Sequence, residues 1–100
     1  LTLLESPWWV YMLRCADNTL YTGVTTNVAR RIAEHNGIGA RAAKYTRARR
    51  PVTLAYLEAA MNRSAACKRE AMIKKFSLSA KLELLKDPIS LRAIRFYESA

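Results

Sequence analysis

Apolar positions along the chain form three short strand-like runs separated by segments with helical spacing. Residues 8–13 are aromatic, β-branched and continuously apolar, which is typical of a buried strand. A second run, 20–24, follows the turn-forming residues Asp17 and Asn18, so these two runs are expected to form a hairpin. Residues 52–58 form the third predicted strand.

Helix signals fill the remaining segments. The capping residues 25–27 predict a helix over about 28–35 that ends at Asn36 and Gly37. Asn62 or Ser64 begins a second helix that runs to about Phe76. A shorter helix over about 79–86 stops before a proline, and the basic connection 37–51 holds at most a short helical turn around 41–45.

The resulting order is β-β-α-β-α-α, which predicts an α/β (α+β) fold: a small sheet with helices packed over it. The chain of 100 residues is long enough for a single domain with one core. We expect that core to span about 8–86. Residues 87–100 show no clear pattern and are expected to form a C-terminal tail.

The hairpin register determines which aromatic side chains meet. A turn centred near Asp17 pairs Tyr11 with Gly23 and Leu13 with Tyr21. Tyr11 and Tyr21 then lie on one face as diagonal neighbours, and Gly23 leaves space beside the Tyr11 ring. A slip of one residue would move Tyr21 to the opposite face. Two ordinary strand aromatics explain the same pattern.

The charge balance indicates a polyanionic partner. Lys and Arg total 17 against 8 Asp and Glu, a formal net charge of +9. Nucleic acid is the commonest polyanion for such a domain. A membrane surface is disfavoured because no basic amphipathic helix with an apolar aromatic face stands out. A solvated basic face without a partner is the remaining alternative.

The basic residues concentrate in two segments, 30–50 and 63–75. From these segments and the hairpin we predict the following nucleic-acid-binding residues: Gly23, Arg30, Arg41, Lys44, Arg47, Arg49, Arg50 and Lys74. With 2 cysteines and 1 histidine, the chain lacks the residues for a disulfide framework or a structural zinc site. No transmembrane run is present, so a cytoplasmic location is expected.

Two helices carry side chains that could bind a phosphate or a metal ion. Arg31 and His35 are one turn apart, so together they could hold one phosphate, or both could simply face solvent. Glu70 lies between Ala66 and Ile73 at helical spacing, on or beside the apolar face, and all its charged neighbours are basic. A carboxylate there needs a partner, which is either a bound metal ion or Lys74 one turn later.

Five short elements in one order resemble the GIY-YIG nuclease family, closest to its small stand-alone bacterial members of the YhbQ type. Residues 10–11 stand at the family's first Ile-Tyr, and 21–23 stand at its Tyr-Ile-Gly. Arg31 has the spacing of the family's helix arginine, and 35–36 match its members with a histidine one turn later. Residues 69–75 are similar to the family's glutamate helix.

The resemblance implies a central three-stranded antiparallel sheet and one active site for metal-dependent phosphodiester hydrolysis. The catalytic residues it implies are Tyr11, Tyr21, Arg31, His35 and Glu70. Glu70 would hold Mg²⁺ or Mn²⁺, and Arg31 would bind the scissile phosphate. Tyr11 would orient or deprotonate the attacking water with support from Tyr21, and His35 would hydrogen-bond Tyr11 or the phosphate.

Three positions depart from the family pattern. Trp9 replaces the first glycine, Val24 replaces a lysine that some members carry, and Leu82 stands where certain members have an asparagine. We expect a monomeric endonuclease that acts on nucleic acid, with DNA as the expected substrate. Its expected role is the repair or processing of structured or single-stranded DNA, and no small-molecule cofactor is expected. The alternatives are a binding module that kept the fold without the chemistry, and a structural domain with incidental charge.

Overall fold

The computed structural model of this protein describes residues 8–37 and 43–98. Its secondary-structure elements follow in this order: β1 (Trp8–Arg14), β2 (Leu20–Thr25), α1 (Val28–His35), α2 (Lys44–Arg47), β3 (Thr53–Ala60), α3 (Arg63–Lys74), α4 (Leu78–Leu84) and α5 (Pro88–Glu98). The predicted β-β-α-β-α-α succession is therefore present, with the short α2 and the C-terminal α5 added to it.

The three strands form one antiparallel sheet in the order β2-β1-β3. The central position of β1 explains its continuous apolar run, because both of its faces are covered. The predicted hairpin register is confirmed: Tyr11 pairs with Gly23, and Leu13 pairs with Tyr21. The pairing of β1 with β3 shifts by one residue between Met12 and Leu13.

Two layers of side chains cover the sheet. On one face, Trp9, Tyr11 and Leu13 pack with residues of α1 and α5. On the other face, Val10 and Met12 pack with Ala66 and Ile73 of α3. The alternation along β1 therefore sends Tyr11 toward α1, and the face of α3 that was predicted to be apolar is buried against the opposite side.

Asparagine side chains begin the two helices that carry most of the predicted site. Asn27 Oδ1 accepts a hydrogen bond from the backbone N–H of Arg30, at 3.0 Å. Asn62 Oδ1 does the same for the backbone N–H of Ala65, at 2.8 Å. Each bond satisfies a donor that the first helical turn leaves without an intrahelical partner. Of the two caps proposed for α3, Asn62 is the one used.

The expectation of a C-terminal tail over 87–100 is wrong for most of its length. Residues 88–98 form α5, whose Ala93 and Ile94 are buried in the core. The hydroxyl of Ser90 accepts a hydrogen bond from the backbone N–H of Leu57 in β3, at 2.9 Å. A serine at a buried helix position interrupts the apolar pattern, which is why no clear helical stripe is visible there.

No helix within the described parts of the chain is both long and apolar enough to cross a membrane.

Candidate active site

The Tyr11 ring lies directly across Gly23 of the neighbouring strand. A Cβ atom added at Gly23 would lie 2.5 Å from the Tyr11 hydroxyl oxygen and 2.6 Å from Cζ, so only glycine fits beneath the phenol. The ring centroids of Tyr11 and Tyr21 are 6.4 Å apart, on the same face of the sheet. The prediction that both tyrosines share one face beside Gly23 is confirmed.

His35 is fully buried, so the alternative in which it faces solvent is wrong. Its Nε2 lies 2.8 Å from the Tyr11 hydroxyl, as the predicted histidine–tyrosine contact requires, and its Nδ1 lies 2.7 Å from Thr46 Oγ1 in α2. The edge of the imidazole also packs against the Tyr21 ring, with centroids 5.1 Å apart. Both ring nitrogens thus have partners within the protein.

The surroundings of His35 keep it neutral. Burial, together with the positive charges of Arg31 and Arg50, lowers the pKa of His35 from 6.5 to about 4, and the opposing charge of Glu34 is too weak to restore it. A neutral imidazole cannot hold a phosphate by charge. His35 is therefore a neutral hydrogen-bond partner of Tyr11, and the nearby cation is Arg31.

The depressed pKa of His35 predicts a pH-dependent stability. Between pH 6.5 and about 4 the unfolded chain binds a proton at this histidine that the folded chain does not bind. The free energy of unfolding is therefore highest above pH 6.5 and falls as the pH decreases through this range. The loss should amount to about 3 kcal/mol. Urea unfolding at several pH values measures it. A His35→Gln variant should lack this component, and equal pH slopes for both proteins would contradict the prediction.

Arg31 connects the tyrosine to an open, polar pocket. Its guanidinium lies close enough to the Tyr11 hydroxyl to lower the pKa of the phenol, and it donates a hydrogen bond to Glu34 Oε1 at 3.0 Å. The pocket has a volume of about 630 Å³ and is lined by Val24, Arg30, Arg31 and Glu34. The two arginines that line this pocket provide the planar, multiple N–H donors that suit a phosphate group.

Tyr11 holds its proton firmly. Burial raises the pKa of Tyr11 to about 12, and the nearby Tyr21 and Glu70 act in the same direction, although Arg31 lowers it. The positive charge that a tyrosine base requires is thus present, but burial outweighs it. Tyr11 is a neutral phenol at ordinary pH and can accept a proton only by passing its own to a neighbour.

Glu70 approaches the same group from α3. Its neighbours Ala66 and Ile73 are buried, whereas the Glu70 side chain is 22% exposed. Lys74 Nζ lies 3.2 Å from Oε2, so the predicted helical ion pair exists. The carboxylate is also close enough to Tyr11 for its charge to raise the pKa of the phenol. Glu70 therefore belongs both to an ion pair and to the site.

The Glu70 carboxylate has the chemistry that a hard divalent cation needs, because Mg²⁺ and Mn²⁺ prefer oxygen ligands. Within residues 8–37 and 43–98, no group of three or more His, Cys, Asp or Glu side chains is placed to bind a metal ion. Glu70 would accordingly be the single carboxylate ligand, with water and phosphate oxygens completing the coordination.

Two of the arginines predicted to bind nucleic acid have partners within the protein. Arg49 Nε lies 3.0 Å from Asp17 Oδ2, and its guanidinium stacks 3.9 Å from the centre of the Tyr45 ring. Arg50 Nε donates to the backbone carbonyl of His35 at 2.7 Å. These contacts tie the end of α2 to the hairpin turn and to α1, so neither guanidinium is fully available to a phosphate.

The other predicted binding residues are placed differently. Arg30, Lys44, Arg47 and Lys74 are exposed. Arg41 lies outside the described residues. Sequence reasoning missed Thr46 and the stacking of Tyr45 on Tyr21, whose ring centroids are 5.8 Å apart. The segment that contains Thr46 has no apolar periodicity, so the sequence pattern could not predict that Thr46 is buried beside His35.

Known proteins are similar to this chain in sequence, and one solved structure is similar to it in fold. A family model described as the GIY-YIG catalytic domain matches residues 7–83. A UPF0213 protein of Desulfotalea psychrophila is 57% identical over 79 residues, which cover 79% of this chain and 71% of that protein. A UPF0213 protein of Syntrophus aciditrophicus is 53% identical over 78 residues, covering 78% and 88%. The solution NMR structure of a UPF0213 protein from Bacillus halodurans is 39% identical with a TM-score of 0.50, covering 78% and 81%.

Proposed function

Because this chain belongs to the GIY-YIG nuclease family and resembles its small UPF0213 members, we propose that it is an endonuclease that hydrolyses phosphodiester bonds of DNA with one divalent metal ion. One observation carries the proposal beyond family membership: the Tyr11 hydroxyl contacts both His35 and Arg31 and lies within the electrostatic reach of Glu70. With Tyr21, whose ring centroid is 6.4 Å from that of Tyr11, the four other predicted catalytic side chains lie around one phenol.

The roles of the side chains follow from this arrangement. Arg31 binds the scissile phosphate and lowers the cost of charge developing on it. Tyr11 orients the attacking water and takes its proton while releasing its own proton to His35. Tyr21 packs against the imidazole and supports its orientation. Glu70 holds Mg²⁺ or Mn²⁺, which when bound supplies positive charge to the phosphate and the leaving oxygen.

The size of the protein limits the way in which it selects a substrate. A chain of 100 residues offers little surface for reading a long base sequence. The pocket beside Arg31 is open and polar, and Tyr45 is exposed next to Tyr21. We therefore propose selectivity for a local structure, such as a single strand or a branch, or for a short motif.

A cleavage assay tests the proposal. Labelled single-stranded, duplex and branched DNA, together with single-stranded RNA, are incubated with the protein and Mg²⁺, Mn²⁺ or EDTA. We expect metal-dependent cleavage of at least one DNA and none in EDTA. Tight binding of all substrates without cleavage under any of these conditions would support a binding module with the same fold.

Arg47 and Arg49 form a matched pair for testing the binding surface. Arg47 is exposed, so Arg47→Ala should weaken binding and reduce the slope of log affinity against log salt by about 0.7–0.9 per lost phosphate contact. Arg49→Ala removes an ion pair and a cation–π contact, so it should instead lower the free energy of unfolding by about 1 kcal/mol. Fluorescence titrations at several salt concentrations and urea unfolding separate the two effects. A larger slope change for Arg49→Ala than for Arg47→Ala would contradict this assignment.

A further inference from the structure

We propose that Thr46 is a positioning residue that fixes the tautomer of His35, so that Nε2 is the acceptor of the Tyr11 proton. The proposal rests on the proposed nuclease function and identifies a group in α2 on which that chemistry depends. Thr46 is fully buried and contacts His35 at Nδ1, whereas Tyr11 contacts the other ring nitrogen, so Thr46 acts through His35 and not on a substrate.

The hydrogen bonds around Thr46 have a defined direction. The backbone carbonyl of Ala43 can only accept, and Thr46 Oγ1 lies 3.1 Å from it in donor geometry. With its single proton directed to Ala43, Thr46 Oγ1 is an acceptor toward His35 Nδ1, 2.7 Å away. Nδ1 therefore carries the proton of the neutral imidazole, and Nε2 accepts from the Tyr11 hydroxyl at 2.8 Å.

The opposite assignment fits the contacts less well. If Thr46 donated to Nδ1, its oxygen and the Ala43 carbonyl oxygen would face each other at 3.1 Å with no hydrogen between them. Nε2 would then carry a proton and donate to the Tyr11 oxygen, so it would have no lone pair with which to accept the proton of Tyr11.

The assigned tautomer gives a balanced proton path. As the water oxygen bonds to phosphorus, its proton moves to the Tyr11 oxygen and the phenol proton moves to His35 Nε2. The bond from phosphorus to the leaving oxygen breaks, and that oxygen takes a proton from solvent. His35 becomes an imidazolium whose Nδ1–H still donates to Thr46. Return of a proton through Tyr11 to solvent restores the starting state.

His35 is the only histidine of the chain, so its tautomer can be observed without interference. In protein labelled with ¹⁵N-histidine, long-range ¹H–¹⁵N correlation spectra distinguish a protonated Nδ1 from a protonated Nε2. We expect Nδ1–H in the wild-type protein and in Thr46→Ser, which keeps the hydroxyl. Thr46→Val has a similar shape but no acceptor, so a buried Nδ1–H would lack a partner and the proton should move to Nε2.

Cleavage kinetics provide the second measurement. Thr46→Val should lower kcat by about 10–100-fold with little change in KM, because it misdirects a group that acts on the catalytic tyrosine. Thr46→Ser should restore kcat to within about threefold of the wild type, since the acceptor is retained. A loss of activity through poor packing alone would not be accompanied by a change of tautomer.

Four results would overturn the proposal: Nε2–H in the wild-type protein, Nε2–H in Thr46→Ser, an unchanged tautomer in Thr46→Val, or an altered tautomer in Thr46→Val with unchanged kcat. If Thr46→Val does not fold, the spectra of the wild type and Thr46→Ser still decide, because Nε2–H in either contradicts the assignment. The spectra need no cleavage. A wild-type protein that has the Nδ1–H tautomer but cuts no nucleic acid would therefore refute the nuclease function and support the assigned role of Thr46 toward His35.

Discussion

Glu70→Gln should reduce cleavage by about 10³-fold while the affinity for nucleic acid stays equal or rises. The substitution keeps the size of the side chain and removes the negative charge that a divalent cation requires. Without metal, that charge also repels phosphate. Loss of the ion pair with Lys74 should cost only about 0.2–0.5 kcal/mol, so the fold should persist.

Cleavage rates, binding titrations without metal and thermal melting together test this expectation. Glu83→Gln is the matched control, because Glu83 is another helical glutamate paired with a lysine, Lys86, at 3.2 Å. It should change neither cleavage nor binding. If Glu70→Gln and the wild type cut at the same rate, Glu70 is not a metal ligand and the assigned site is wrong.

Tyr11→Phe is expected to lower kcat by about 10²–10⁴-fold, the usual contribution of a positioned acid–base group. The ring that packs across Gly23 is retained, so the sheet should remain intact. The variant leaves the Nε2 acceptor of His35 without its partner in a buried place, which should cost about 1–3 kcal/mol of unfolding free energy.

Single-turnover cleavage and urea unfolding measure these two effects separately. Tyr97→Phe serves as the control, because Tyr97 packs its ring against Trp9 on the α5 side of the core. That variant should cut normally. Cleavage by Tyr11→Phe at the wild-type rate would show that the phenol oxygen takes no part in proton transfer.

Local sequence patterns were sufficient to predict the sheet, the position of Tyr11 across Gly23 and the position of Glu70 beside the apolar face of α3. The continuous apolar run of β1 requires a strand covered on both faces, and the turn at Asp17 sets the register that brings Tyr11 over Gly23. Helical spacing likewise placed Glu70 beside Ala66 and Ile73. Each of these predictions depends on residues that are near in sequence or on a strict period.

The remainder depends on contacts between distant segments. Burial of His35 requires α2 to cover it, and α2 is a four-residue helix in a basic connection without apolar periodicity. The same connection supplies Arg49 and Arg50, whose partners are Asp17 and the carbonyl of His35. Charge counting indicates a binding surface, but it cannot distinguish an arginine that contacts phosphate from one that holds two loops together.

The hydrogen bond from the Leu57 amide to Ser90 also protects the edge of the sheet. β3 is an outer strand, and the outward amide of such a strand can pair with a strand of another molecule. In this protein α5 covers that edge, and the Ser90 hydroxyl occupies one of the donors that an added strand would use. The C-terminal helix therefore hinders the pairing of β3 with a strand of another molecule. A chain shortened before Pro88 would keep every predicted catalytic residue, but it would expose this edge to such pairing and hence to aggregation.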